Sequence, residues 1–264
     1  KKKRNRRNRN GDEIMSEKSE KDYRKVGKMI KLINDDFKNV LTSILVCCDN
    51  DKIIYVTDPP FNINYKYNTY NDNMNDYEYF KMLYNLFGDF PSVVIHYPEQ
   101  LYRLSLVLKK TPEKVISWVY NSNTGKQHRD IAFFDVKPDM SKVRQPYKNP
   151  NDKRIKERIA KGCEGAKLYD WWNINQVKNV SKEKTEHPCQ MPLKVMENII
   201  GILPDDCIVI DPFMGSGTTG VAVKTMNERQ GANRSFIGIE IDEKYFNIAK
   251  DRIEKGDVSR ETSN

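Results

Sequence analysis

The chain has 264 residues, 38% of them hydrophobic, and carries 45 Lys+Arg against 37 Asp+Glu for a net charge of +8. That length suits one core of ordinary size with a small appendage, and no apolar run approaches the ~18–20 residues that span a bilayer. The N-terminal cations lead into polar residues and the five cysteines show no Cys-x-x-Cys spacing, so membrane insertion, Sec export, a disulfide scaffold and a zinc site are not expected.

In chain order, residues 1–20 are charged and aperiodic and are predicted to be a disordered basic tail. Residues 1–9 alone hold three Lys and four Arg with no acid, which leaves the rest of the chain at +1. Any argument for a polyanionic partner therefore rests on a local patch. From Met29 the pattern predicts a strand over 29–34 ending at Asp35-Asp36, a helix over 37–48, and a buried strand over 52–57 that runs into Asp58-Pro59-Pro60-Phe61. A polar loop rich in Asn and Tyr follows, then a helix over 76–87, a strand over 92–97, a helix over 99–110, and a hairpin of strands 114–120 and 130–136. Strands alternating with helices predict an α/β fold with a doubly wound, mostly parallel sheet and an antiparallel edge hairpin.

Residues 137–167 hold ten Lys/Arg and four Asp/Glu, the one strong basic patch of the body. Within it, 151–162 is predicted to be a helix capped by Asn151 and stopped by Gly162, with Ile155 and Ile159 as a narrow docking stripe under a basic face. A charged run of this kind is often only a solvated face. After Trp171-Trp172 come a helix over 191–203, a strand over 207–212, the glycine turn 213–220, a helix over 218–227, a strand over 235–241 and a helix over 242–255.

Two stretches carry chemistry. In the first, Gly215 and Gly217 allow a tight turn and close backbone approach, and the helix that follows offers unpaired N–H groups to a carboxylate or phosphate. Glu240 lies 23 residues after Gly217, near the ~20-residue offset at which a carboxylate meets a nucleoside ribose in a doubly wound sheet. The loop lacks the Lys-Ser/Thr of a phosphate-cradling loop, so a ligand with a ribose and a carboxylate but no phosphate fits best. S-adenosylmethionine (SAM) is such a ligand. In the second stretch, two prolines remove N–H donors, so that Asp58 and the Pro59 carbonyl are both acceptors beside the aromatic Phe61. That combination suits a planar base bearing an exocyclic amine.

Together these residues resemble the exocyclic-amino DNA methyltransferases, which methylate adenine N6 or cytosine N4. Their catalytic motif [Asp/Asn/Ser]-Pro-Pro-[Tyr/Phe/Trp] is matched by Asp58, Pro59, Pro60 and Phe61, and their Phe-x-Gly-x-Gly loop by Phe213 to Gly217. A third motif, His-Pro-Thr-Gln-Lys-Pro, is echoed by His187 to Pro192, with Cys189 in place of Thr and Met191 in place of Lys. The catalytic motif precedes the SAM motif, the permuted order of the beta class. The resemblance implies a Rossmann-like domain divided into a tail (1–20), a catalytic half (21–136), a small target-recognition region (137–180) and a SAM-binding half (181–264). It implies SAM held by Asp35, Asp36, His187, Cys189, Gln190, Asp211, Pro212, Phe213, Gly215, Ser216, Gly217, Thr218, Thr219, Glu240 and Ile241, and no metal. It also implies direct methyl transfer to the amine of a flipped base, hydrogen-bonded by Asp58 and the Pro59 carbonyl and stacked on Phe61.

Asp at the first motif position goes with adenine N6, so the resemblance implies an adenine-N6 enzyme of double-stranded DNA. Arg144, Lys148, Lys153, Arg154, Lys156 and Arg158 are the implied nucleic-acid contacts, with a homodimer or partner subunit helping to cover a site. A cytoplasmic setting in a bacterium, phage or virus is implied, or a nuclear one if the tail is an address. The alternatives are cytosine N4, RNA adenine N6, protein glutamine, and an inactive nucleic-acid-binding subunit of the same fold. Pro188-Cys189-Gln190 also resembles the nucleophile motif of cytosine-C5 enzymes, but that assignment leaves Asp58 to Phe61 without a role.

Overall fold

Residues 29–255, apart from Asn68 and Val180, are described by a computed structural model; the basic tail lies outside the described residues. The strands and helices in chain order are β1 (Ile30–Asn34), α1 (Phe37–Cys47), β2 (Ile53–Thr57), β3 (Tyr65–Lys66), β4 (Asn71–Asp72), α2 (Asp76–Phe87), β5 (Ser92–His96), α3 (Pro98–Leu108), β6 (Lys114–Val119) and β7 (His128–Phe134). They continue with β8 (Arg144–Gln145), α4 (Lys153–Ala160), β9 (Ala166–Lys167), β10 (Trp171–Asn173), α5 (Leu193–Gly201), β11 (Ile208–Asp211), α6 (Thr218–Gln230), β12 (Ser235–Glu240) and α7 (Glu243–Lys255).

Eight strands form one sheet in the order β1-β12-β11-β2-β5-β7-β6-β10. Every neighbouring pair is parallel except the two that involve β7, which runs against both β5 and β6. The hairpin's reversed strand thus lies inside the sheet, and Trp171–Asn173, whose strand character the sequence pattern did not show, adds the outermost strand beside β6. Helices cover both faces, which is why β2, β5, β11 and β12 are buried along their whole length and lack the apolar–polar alternation of a half-exposed strand. Alternate residues feed two cores. Ile54, Val56, Val93 and Ile95 pack in one with side chains of α5, α6 and α7, while Ile53, Tyr55 and Val94 pack in the other with those of α2 and α3.

The basic segment folds as a small excursion from this sheet. Its helix α4 is capped by Asp152, whose carboxylate accepts from the N–H groups of Arg154 and Ile155, and not by Asn151. Both residues are good cap formers, but Asp152 stands next to the first helical residue and reaches those donors. Gly162 follows the helix in a left-handed conformation (φ +82°). The docking stripe is not formed: α4 has no buried residue, Ile155 is half-buried and Ile159 is 46% exposed.

One buried cation ties together the elements around β11 and β12. Arg234, fully buried just before β12, donates to the carbonyls of Leu203 and Pro204, to Gln230 of α6 and to the Asp205 carboxylate. Arg234→Ala removes four hydrogen bonds at once and takes the donor from the Pro204 carbonyl, while Lys142 still serves Leu203 and Asp205, and it is expected to cost about 3 kcal/mol. Urea unfolding should show the lower midpoint at an unchanged slope.

Candidate active site

The parallel strands deliver their carboxyl ends to one edge of the sheet, the place where an open α/β sheet binds ligands. β1 ends at Asn34 before Asp35 and Asp36, β12 at Glu240, β11 at Asp211, β2 at Thr57 before Asp58, and β5 at His96. A single cavity at this edge is lined by both motifs that the sequence singles out. Asp58, Pro59, Pro60 and Phe61 meet Asp211, Pro212, Phe213, Gly215, Ser216, Thr218, Thr219, Glu240 and Ile241 there, together with Asp35, Asp36, His187 and Cys189.

Asp211 is the junction. Its Oδ1 accepts from the Thr57 hydroxyl at 2.9 Å and from the Phe213 N–H at 3.1 Å, and its Oδ2 accepts from the Thr219 hydroxyl at 2.6 Å. Burial still outweighs these bonds and pushes its carboxyl up to about 6. Beside it the glycine turn folds back on the strand-end acid: the Gly215 N–H donates to Glu240 Oε2 at 2.8 Å, and the Asp242 N–H donates to Oε1 at 2.9 Å. Each Glu240 oxygen then keeps a lone pair for a hydroxyl donor. Gly215 has φ +52°, and a Cβ there would stand 2.9 Å from the His187 ring, so this turn has no room for a side chain. Burial also pushes His187 down to about 4, so it packs as a neutral ring against Tyr245. Phe213 meets Phe37 edge to face at 5.2 Å and extends the wall toward α1.

A hydrogen-bonded relay holds the second motif. His96 Nδ1 accepts from the Tyr97 N–H at 2.8 Å, which leaves Nε2 as the protonated nitrogen, 2.8 Å from the Tyr79 hydroxyl. Tyr79 in turn donates to the Pro60 carbonyl at 2.8 Å. Burial pushes His96 down to about 3, which keeps the relay neutral. It takes the Pro60 carbonyl and leaves that of Pro59. Asp58, 18% exposed, has Oδ1 buried without a hydrogen-bond partner, and burial pushes its carboxyl up to about 6 against the opposing pull of Arg129.

Several expectations need correcting. Phe61 offers no free face: it is 7% exposed, stacks on His96 at 4.2 Å and 20°, and has the Arg129 guanidinium 4.6 Å from its ring centroid. Gln190 does not line the cavity; its amide ties its own loop, accepting from Thr185 and donating to the Glu183 carbonyl. Gly217 is also absent from the lining, and a Cβ there would meet Ala249 of α7 at 2.8 Å, so it serves helix packing. Asp36 lines the cavity yet is also the cap of α1, accepting from the Lys38 N–H, and Asp35 holds Asn39. Cys189 lies in the cavity wall near Tyr65 and Tyr67, and burial raises its thiol, the opposite of what a thiolate nucleophile needs.

Sequence reasoning missed Arg129, His96, Tyr79 and the tyrosines Tyr65, Tyr67 and Tyr70 of the cavity wall. His96 in an otherwise apolar strand was an available signal, whereas Arg129 lies in the polar His-Arg-Asp start of β7, just ahead of the predicted strand 130–136. The expected nucleic-acid contacts lie outside the cavity: Lys153, Arg154, Lys156 and Arg158 are exposed on α4. Lys148 sits over the rings of Tyr169 and Trp171 at 5.1 and 4.8 Å, and Arg144 pairs in register with Lys167. Among the described residues no group of His, Cys, Asp or Glu could hold a metal ion, and no helix is long and apolar enough to cross a membrane.

Residues 93–251, more than half of the chain, match a family model for DNA methylases of the N6/N4 type. Over 230 residues the chain is 28% identical to the type II methyltransferase M.HpaI of Haemophilus parainfluenzae, covering 78% of this chain and 69% of that one. Over 255 residues it is 29% identical to M.BglII of Bacillus subtilis, covering 83% and 67%. The fold is similar to that of the crystal structure of an M1.HpyAVI–SAM complex, with a TM-score of 0.55 at 24% identity over 85% of this chain and 100% of that one.

The Thr57 hydroxyl stabilises Asp211 in its charged form, so Thr57→Val should raise the Asp211 pKa beyond about 6 and destabilise the fold by about 1–3 kcal/mol. Because the folded-state value is raised, the penalty appears as pH climbs through that range and fades below it, where Asp211 is protonated. Denaturant unfolding at pH 8 and pH 5 should therefore give the larger difference at pH 8.

Proposed function

The chain belongs to the N6/N4 family of DNA methylases, and from that membership we propose that it is a site-specific adenine methyltransferase, acting on N6 of a base turned out of double-stranded DNA. The observation that carries the reading is Asp58, an acceptor with a buried, unpartnered oxygen in the same cavity as the glycine turn and Glu240. SAM, the methyl donor of the family, supplies an electrophilic methyl on a positively charged sulfur.

The donor set fits that group. Glu240 keeps acceptor capacity for ribose hydroxyls, and the acids Asp35, Asp36 and Asp242 lie along the same wall. Asp211 retains one acceptor position for the amino acid's ammonium, beside a turn too tight for side chains. On the other side Asp58 and the Pro59 carbonyl accept the two N–H bonds of an aromatic amine. Such an amine is a poor nucleophile because its lone pair is delocalised, and two acceptors favour the pyramidal form that attacks. The relay through Tyr79 and His96 fixes the loop, so that alignment of amine and methyl supplies much of the rate. Phe61 bounds the base subsite. Asp at the first motif position favours adenine over cytosine.

The exposed cations of α4, the Lys148–Tyr169–Trp171 cluster and the Arg144–Lys167 pair form the DNA-facing surface. Like charges directly opposite on a ladder repel one another and suit a polyanionic partner. A second copy or partner subunit completes coverage of the recognition sequence.

Incubation with labelled SAM and unmethylated duplex DNA, RNA or protein, followed by mass spectrometry of nucleosides, should show N6-methyladenine in duplex DNA. Asp58→Ala should lower kcat by at least about 100-fold while SAM binding persists. N4-methylcytosine would move the substrate within the family; label only in RNA or polypeptide, or full activity of the variant, would overturn the reading. Replacing Lys153, Arg154 and Arg158 by Gln should weaken DNA binding and flatten the salt slope by up to about 3. Unchanged affinity would return α4 to a solvated face.

A further inference from the structure

The cavity that holds Asp58 also holds a cation that neither motif announces. Arg129 Nη1 lies 3.7 Å from Asp58 Oδ2, and its guanidinium carbon is 4.6 Å from the Phe61 centroid, 5.4 Å from that of Trp118 and 5.8 Å from that of Tyr97. A guanidinium is flat, donates N–H bonds and lies readily on aromatic rings. Here it makes the two kinds of contact, with a carboxylate and a ring, that the amine and ring of an extruded base would make with the same two residues.

The pair is nevertheless loose. Its 3.7 Å separation exceeds the ~2.7–2.9 Å of a charge-assisted hydrogen bond. Asp58 Oδ1 and Arg129 Nε are each buried with no hydrogen-bond partner. A buried ion pair serving stability alone would satisfy these atoms, because each unpaired one carries a desolvation penalty. The acceptor capacity left at Asp58 is what a better-placed donor would use.

We propose that Arg129 occupies the target-base subsite of the free protein as a stand-in for the base, keeping Asp58 ionised and Phe61 covered until an extruded base displaces it. The proposal rests on the amino-methyltransferase reading above. Without a counter-charge the buried Asp58 would take up a proton, and a protonated carboxyl would greet the amine with a donor in place of an acceptor. The other titratable groups around Asp58 are Asp211 from β11, Tyr67 from the segment between β3 and β4, Tyr79 from α2, Tyr120 at the end of β6 and Cys189. Burial keeps the three hydroxyls and the thiol neutral, so Arg129 is the cation of the set.

The wild-type protein is assayed first, and its methylated sequence context is mapped; failure to methylate any base would sink the function and leave nothing for Arg129 to act on. With active wild type, Arg129→Gln should move the acid limb of kcat/KM, which reports the free protein, upward by about one pH unit. The limb of kcat, which reports the base-bound complex, should stay in place. Arg129→Lys, which keeps the charge, should retain the wild-type kcat/KM limb. In duplexes carrying 2-aminopurine at the target position, Arg129→Gln at saturating protein should raise the fluorescence of the extrahelical base, because its competitor is gone. Equal movement of both limbs, movement of neither, or a fall in fluorescence would overturn the proposal. Should the Gln variant fail to bind SAM, Arg129→Lys decides by the same fluorescence, since Lys cannot lie flat on the rings: an increase supports displacement, and no change or a decrease overturns it.

Discussion

The site depends on one buried carboxylate reaching across two neighbouring strands. Asp211 at the end of β11 accepts from Thr57 at the end of β2 and from Thr219 in the first turn of α6. Thr57 and Asp211 are 154 positions apart in the chain, yet β2 and β11 pair directly, from Ile53 opposite Ile208 to Tyr55 opposite Ile210. The residue after Thr57 begins the Pro-Pro loop, and two residues after Asp211 the glycine turn begins. Fixing the two strand ends against each other therefore fixes the two loops, and the methyl acceptor and methyl donor of the family's reaction need that relative placement more than any other.

The same edge creates an electrostatic problem that the rest of the molecule answers. Asp35, Asp36, Asp58, Asp211, Glu240 and Asp242 all line one cavity. Such a wall suits a cofactor bearing a positive sulfur and an ammonium, but it repels the phosphates of nucleic acid. Positive charge opposes this acidic wall in two places. On the outside, Lys153, Arg154, Lys156 and Arg158 lie exposed on α4, a helix with no buried residue. Inside, Arg129 stands 3.7 Å from Asp58. The formal charge of +8 describes neither arrangement.

Much of this was legible in the sequence, for identifiable reasons. Fully buried parallel strands are continuous apolar runs, so β2, β11 and β12 announce themselves, and the residues just beyond their carboxyl ends are where ligands bind. Asp58, Asp211, Gly215 and Glu240 follow from that rule. Where it failed, competing local chemistry decided. Asn151 and Asp152 are both good caps, and only backbone geometry selects Asp152. Gln190 and Gly217 lie in motif segments but spend their contacts on a loop and on α7. Phe61 has the right type and place for stacking, yet its faces belong to His96 and Arg129.

The sequence by itself determined which loops carry the chemistry, because residue type, spacing and strand polarity place them at the carboxyl edge of a parallel sheet. The hairpin's reversal was legible, but only the tertiary structure decided that its reversed strand β7 is inserted between β5 and β6, antiparallel to both. His96 at the end of β5 pairs with Asp130 near the start of β7, so the reversed strand brings its beginning to the active edge. Arg129 arrives there by that route, as a cation beside Asp58 that a search of strand ends does not reach. The physical reason is general: periodicity reports which side chains share a face, but strand direction and neighbour order come from long-range pairing, which local sequence leaves open.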